Sequence, residues 1–177
     1  MPDSHPLVSV IIPTKDHADI LDNCIKSIAE KSTYDNYELV IIENNSTEKA
    51  TFDYYDKLQA KYPDIVRLVT WEHEFNFSKL MNFGVAHAKG NYLLLLNNDT
   101  EVITPNWIET MLGICAREDV GAVGAKLYYP TTPFSTRAYA SLVAWQDIFV
   151  KACQRITGVT LRSTMHNKTS APSPQLA

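Results

Sequence analysis

The chain is short of the features that mark several protein classes at once. It has three cysteines and six glycines in 177 residues. Cys24, Cys115 and Cys153 are odd in number and lack metal-ligand spacing, which excludes a disulfide framework and a structural zinc site. Cys24 and Cys115 fall on apolar helix faces as buried reduced thiols, which fits a reducing cytoplasm. There is no G-x-G-x-x-G and no G-x-x-x-x-G-K-[ST], so neither the common dinucleotide fingerprint nor the P-loop is present. No apolar run approaches the ~20 residues that span a bilayer. The opening "MPDSHPLVSVIIP" has no basic segment ahead of a long apolar stretch, so it does not read as a signal peptide. The formal net charge of -4 argues against a general nucleic-acid binder.

What is there suits one soluble domain. Hydrophobic residues make up 45% and charged residues 20%, ordinary for a globular protein with a sizeable core. The charge is uneven: residues 131–177 hold five basic residues against the single acid Asp147, so residues 1–130 carry -8.

Short β-branched or leucine-rich runs recur: "LVSVII" (7–12), "YELVII" (37–42), "IVRLVTW" (65–71), "YLLLL" (92–96) and "VGAVGAKLYY" (120–129). Each reads as a strand, the first, second and fourth as buried strands of a parallel sheet. Helical stripes lie between them. Ile20, Leu21, Cys24, Ile25 and Ile28 form the first, with Asp16 as its cap. Phe52, Tyr55, Leu58 and Tyr62 form the second. Leu80, Met81, Val85 and Ala88 form the third, capped by Ser78 and stopped by Gly90. Pro105 starts the fourth, with Trp107, Ile108, Met111, Leu112 and Cys115 inward. Alternating strands and helices predict an α/β fold with a mainly parallel, Rossmann-like sheet flanked by helices.

Three of these strands end in polar clusters: Thr14-Lys15-Asp16, Glu43-Asn44-Asn45-Ser46 and Asn97-Asn98-Asp99. In a parallel sheet such ends share one edge, where open α/β sheets bind ligands. The clusters offer carboxylates and amides, so an anionic diphosphate there calls for Mg²⁺ or Mn²⁺ between them, held by Asp99 and Asn97.

Four segments in order carry a resemblance: "VSVIIPTKD", "ELVIIENNST", "FNFSKLMNFGVAHAKGNYLLLLNNDTEV", and "PNWIETML" followed by "VGAVGAKLYYP". Over roughly residues 6–130 the chain resembles family-2-type glycosyltransferases with the GT-A fold, inverting enzymes that use nucleotide-diphospho-sugars. The resemblance implies a donor-binding domain over residues 1–130 and a role in cell-surface polysaccharide synthesis. It implies a divalent metal, a nucleotide-diphospho-sugar donor and a saccharide acceptor, and leaves peripheral membrane association open for the full-length enzyme. By it, Pro13, Thr14 and Asp16 line the nucleotide pocket, and Glu43, beside Asn44, stands where an aspartate usually contacts the base. Asn76 and Asn82 match asparagines near the sugar-diphosphate. Asn97-Asn98-Asp99 matches the Asp-x-Asp metal motif with Asn in first place, leaving Asp99 as the main charged metal ligand and Asn98 as a donor-side contact.

The general base that such a reaction needs is not in the matched region. After "AKLYYP" the family pattern continues with something like "DDTIQHAG", and this chain reads "TTPFSTRA". A one-base shift of reading frame after Pro130 permits that string from Thr131 to Ala138. It also permits "AGH" across Trp145–Ile148 and "AQQNVSAVTAAC" from Met165 to Ala177. The expectation is therefore a tail over 131–177 that is out of frame, poorly ordered apart from an opportunistic helix over 140–156, and a chain inactive as given. Two other readings stand beside this one: a non-catalytic nucleotide-sugar-binding remnant, and an unrelated nucleotide-binding α/β module such as a nucleotidyltransferase. The missing phosphate loop weighs against the latter.

Overall fold

The computed structural model describes residues 5–125 and the backbone of 148–151. The apolar runs form β1 (Val8–Thr14), β2 (Tyr37–Glu43), β3 (Val66–Thr70), β4 (Tyr92–Leu95) and β5 (Ala122–Gly124). Between them lie α1 (Ala18–Lys31), α2 (Lys49–Lys61), α3 (Phe77–His87) and α4 (Trp107–Cys115), and a further strand, β6, spans Ile148–Lys151. The sheet order is β3-β2-β1-β4-β6-β5. β3, β2, β1 and β4 are parallel, whereas β6 runs antiparallel to both β4 and β5. The expected α/β fold with a mainly parallel sheet is the fold observed.

β1 and β2 are buried on both faces, which is why they read as continuous apolar runs without alternation. On one face Val8, Val10, Ile12, Leu39, Ile41 and Leu94 pack against Leu21, Ile25 and Ile28 of α1, Tyr55 and Leu58 of α2, and Ile108 and Leu112 of α4. On the other, Ile11, Val40 and Ile42 pack against Leu80 and Met81 of α3. Full burial of each such aliphatic side chain contributes about 1.5–3 kcal/mol.

Several local expectations shift. Ile20 and Phe52 are 37% and 45% exposed, so they sit off the buried stripes, and Thr51 is turned inward in place of Phe52. Helix α3 is capped by Asn76, whose side chain accepts the Lys79 N–H at 3.1 Å, in place of Ser78. Helix α4 begins two residues after Pro105, whose carbonyl instead accepts the Thr33 N–H at 3.0 Å. β6 lies where the opportunistic helix over 140–156 was expected. Its four residues are β-branched or aromatic apart from Lys151, and they pair with the edge that β4 presents. The expectations for the remainder of 131–177 lie outside the described residues.

A buried polar network fixes the amino-terminal edge. Ser9 Oγ donates to Glu38 Oε1 at 2.6 Å, Gly90 N–H donates to Ser9 Oγ at 2.8 Å, and Arg67 lies 3.8 Å from Glu38 Oε2. A Cβ on Gly90 would lie 2.7 Å from both Leu7 O and Ser9 N, so only glycine lets the α3–β4 connection approach β1 this closely. The network thereby sets where β4 starts and, four residues on, where its polar exit emerges.

Candidate functional site

The order 3-2-1-4 places the reversal of strand order between β1 and β4. Ligands of open α/β sheets bind outside the carboxyl ends of the strands at such a point. The register pairs Thr14 with Glu43 and Ile11 with Leu95. Carried three residues further, the second pairing puts Asn98 beside Thr14. Asn98 Nδ2 indeed donates to Thr14 Oγ1 at 3.2 Å. Asn98, Thr14 and Glu43 therefore form a row across three strand exits.

The β1 and β2 exits are joined in the same way. Asn44 N–H donates to Thr14 O at 3.0 Å, and Asp16 N–H to Ser46 Oγ at 3.0 Å. Thr47 and Glu48 N–H groups donate to Asp16 Oδ1 at 2.8 and 3.0 Å. These donors, Glu48 first and then Thr47, hold the Asp16 carboxyl below its ordinary range. Asp16 thus does not cap α1, where His17 occupies the cap position without a side-chain bond. Its carboxylate sits instead at the start of α2, where the helix dipole favours an anion.

The other residues named from the sequence take varied places. Pro13 is half-buried at the end of β1, in register with Ile42. Glu43 is buried, and its Oε1 accepts the Ser46 N–H at 2.5 Å. Asn44 is buried too, with Nδ2 donating to Trp71 O at 3.0 Å and His73 O at 3.1 Å, which staples the β3 exit to the β2 exit. Asn76 lies at the start of α3, at the carboxyl edge, and caps that helix. Asn82 is exposed midway along α3, further from the row. Asn97 is half-buried, its carbonyl accepting from Thr100 Oγ1 at 2.9 Å, and Asp99 is exposed at the edge. Thr14, Asp16, Glu43, Asn44 and Asn98 are tied into one network, and Asn97 and Asp99 flank it.

Sequence reasoning left Ser46 and Tyr55 out of the candidate set. Ser46 Oγ and Tyr55 Oη share a hydrogen bond of 3.4 Å beneath the row, and burial pushes the Tyr55 phenol above its ordinary range. Tyr55 looked only like one more apolar residue of a helical stripe. Its hydroxyl signal was hidden because Ser46 lies nine residues away, a spacing with no helical or strand meaning.

A family model described as "Glycosyl transferase family 2" matches residues 9–167. The chain belongs to that family. It is 41% identical over 125 residues to protein y4gI of Sinorhizobium fredii, covering 71% of this chain and 14% of that protein. It is 39% identical over 125 residues to the O-antigen biosynthesis protein RfbC of Myxococcus xanthus, covering 71% of this chain and 10% of that one. The chain therefore spans a small fraction of the length of these relatives. Among solved structures it resembles the mannosyltransferase PcManGT from Pyrobaculum calidifontis in complex with GDP-Man and Mn²⁺. The TM-score is 0.64 at 23% identity, over 71% of this chain and 36% of that one. GalNAc-T7 with UDP, GalNAc and Mn²⁺ matches with a TM-score of 0.59 at 19% identity, over 64% and 21% of the two chains. These likenesses place the sheet and helices in the GT-A glycosyltransferase fold. Family membership also sets aside the reading as an unrelated nucleotidyltransferase.

For a family-2 domain the donor set at the edge bears on the metal. Among the described residues no three His, Cys, Asp or Glu side chains gather around one point. A protein-caged ion is thus not what these residues build. Mg²⁺-like ions that bind with nucleotides need only one or two carboxylates, the rest coming from phosphate and water. An exposed Asp99 with Asn97 beside it fits that sparser role. Among the described residues no helix is long and apolar enough to cross a membrane.

Proposed function

We propose that this chain binds a nucleoside-diphospho-sugar across the carboxyl ends of β1, β2 and β4. On this reading Pro13, Thr14, Glu43 and Asn44 form the nucleotide side of the site, with Asp16 holding the loop behind them. Asn76, Asn82 and Asn98 form the sugar-diphosphate side. Asp99 and Asn97 would hold a divalent cation, which supplies Lewis-acid stabilisation of the departing nucleoside diphosphate when bound. The single observation that carries the reading is the Asn98–Thr14 hydrogen bond at the strand-order reversal, with Asp99 exposed next to it. That row joins polar groups from three strand exits, and none of the three caps a helix.

The enzyme to which this domain belongs is proposed to transfer the sugar with inversion to an acceptor hydroxyl in cell-surface polysaccharide synthesis. The likeness to an O-antigen biosynthesis protein supports that setting. A cytoplasmic site of action, with peripheral attachment to the membrane, belongs to the same proposal. So does the division into a donor-binding domain over 1–130 and a separate tail over 131–177, although the family match itself runs on to residue 167. A second reading keeps donor binding and drops transfer. It is favoured by the change of composition after Pro130, where residues 131–177 hold five basic residues against the single acid Asp147.

Calorimetric titration with UDP-, dTDP- and GDP-sugars, with and without Mn²⁺, tests the donor site. Saturable binding that strengthens with Mn²⁺ is expected. No binding of any nucleotide sugar under either condition would refute it. Sugar transfer to an acceptor saccharide separates the two readings.

A further inference from the structure

The joint between the β1–α1 and β2–α2 loops is built unlike the rest of the edge. The non-glycine residues with positive φ among the described residues are Asp16 at 50°, His17 at 52° and Asn45 at 56°, and all three lie in it. Such sparsely populated conformations persist only where surrounding contacts over-determine them. Those contacts are reciprocal. The Asp16 N–H reaches across to Ser46 Oγ, and the Thr47 and Glu48 N–H groups reach back to Asp16 Oδ1. Asp16 Oδ2 lies 3.4 Å from Thr47 Oγ1. At α2 the residue in the cap position, Glu48, makes no side-chain cap bond. A carboxylate from a loop more than thirty residues earlier instead holds the two N–H groups just ahead of the helix.

We infer that Asp16 is a positioning residue whose carboxylate clasps the β2–α2 loop and so holds the nucleotide side of the site in shape, without itself touching the donor or the cation. The inference rests on the donor-binding reading above. The left-handed turn at Asp16 and His17 points the carboxylate across to α2, where its oxygens are engaged by three donors. The clasp then acts through a short covalent and hydrogen-bonded path. Asp16 is three residues from Pro13 and next but one to Thr14, Thr14 accepts from Asn98, and Asn98 precedes Asp99. Loosening the clasp frees the β1 exit on which the metal-side triplet is registered.

The test compares Asp16→Asn, which keeps an oxygen acceptor at Oδ1, with Asp16→Ala, which does not. Two readouts are needed: amide hydrogen exchange at Thr47 and Glu48 in the ligand-free chain, and affinity for a UDP- or GDP-sugar in Mn²⁺. Losing hydrogen bonds to a charged acceptor changes a local equilibrium by roughly tenfold or more. Asp16→Ala is expected to speed exchange at those two amides about tenfold and weaken donor binding by a similar factor. Asp16→Asn is expected to restore most of both. If Asp16→Asn weakens binding as much as Asp16→Ala while the two amides stay protected, the carboxylate charge meets the donor or cation directly and the inference is wrong. If Asp16→Ala alters neither amide, the clasp does not exist. Should the wild-type chain bind no nucleotide sugar, the donor-binding reading falls, and the exchange data still decide whether Asp16 clasps the loops.

Discussion

Asn98 and Thr14, 84 residues apart, meet at 3.2 Å where β4 and β1 leave the sheet. The bond couples the polar triplet to a strand buried on both faces. Replacing Thr14, which is 5% exposed, by Val keeps its shape and removes the acceptor. A net loss of about 0.5–1.5 kcal/mol is expected, the usual contribution of one such hydrogen bond, read as a lower urea midpoint with unchanged slope. Donor affinity in Mn²⁺ should fall in the same variant. Unchanged affinity would mean that the row does not position the triplet.

Asp16 predicts a specific acid response. Its folded carboxyl titrates below the ordinary value of 3.8, so the native state binds fewer protons there than the unfolded chain does. Its stabilisation is therefore complete above about pH 4 and is lost as pH falls through the folded value. Asp16→Asn should flatten the decline of stability with acid below pH 4 and leave the neutral-pH dependence as it was. Denaturant midpoints measured from pH 2 to pH 7 on both chains give the answer. A variant whose difference from wild type grows as pH falls below 4 would contradict the sign.

Gly84 tests how tightly α3 sits on the sheet. A Cβ there would lie 2.5 Å from Ile42 Cδ1 and 2.6 Å from Ile11 Cγ2. Alanine gains about 1 kcal/mol in helix propensity over glycine, but overpacking costs about 1–3 kcal/mol. Ile42 Cδ1 can swing aside, whereas the Cγ2 branch of Ile11 is fixed close to the backbone of a central strand. Gly84→Ala is expected to destabilise by about 1–2 kcal/mol in chemical denaturation. A stabilised variant would show that α3 can lift off the sheet without loss.

The 177-residue chain is proposed to bind donor yet transfer little sugar. Loss of a positioned general base alone costs ~10²–10⁴-fold. Restoring the reading frame by one base after Pro130 should yield a chain that turns over an acceptor. Equal turnover by the two chains would refute the frame reading. Asp147, the single acid after Pro130, would then be the first residue to substitute.

Strands and helices were legible because their causes are local. Continuous β-branched runs, short lengths and intervening 3.6-residue stripes suffice to place β1 to β4 and α1 to α4 within a few residues. The carboxyl-edge clustering was legible too, because parallel strands put all their exits on one side. What failed was the choice among residues with equal local credentials. Asn76 and Ser78 are both good caps, and only the path of the chain out of β3 selects Asn76. Phe52 suits a helical stripe as well as Thr51 does, but Thr51 is the one turned inward. Asp16 has the composition of a cap for the helix that follows it. The left-handed turn that sends its carboxylate to α2 has no signature in spacing. β6 pairs with β4 across more than fifty residues, a relation that no local pattern encodes.

The central claim is that Asp99 holds a divalent cation together with the donor diphosphate. Mn²⁺ electron paramagnetic resonance tests it directly, because the sharp signal of the hydrated ion is lost on binding. With a nucleoside-diphospho-sugar present beyond its own capacity to bind the ion, wild-type chain is expected to quench the remaining free Mn²⁺ signal stoichiometrically. Asp99→Ala should abolish that quenching, and Glu101→Ala, two residues along and equally exposed, should leave it intact. Equal quenching by wild type and Asp99→Ala would contradict the account.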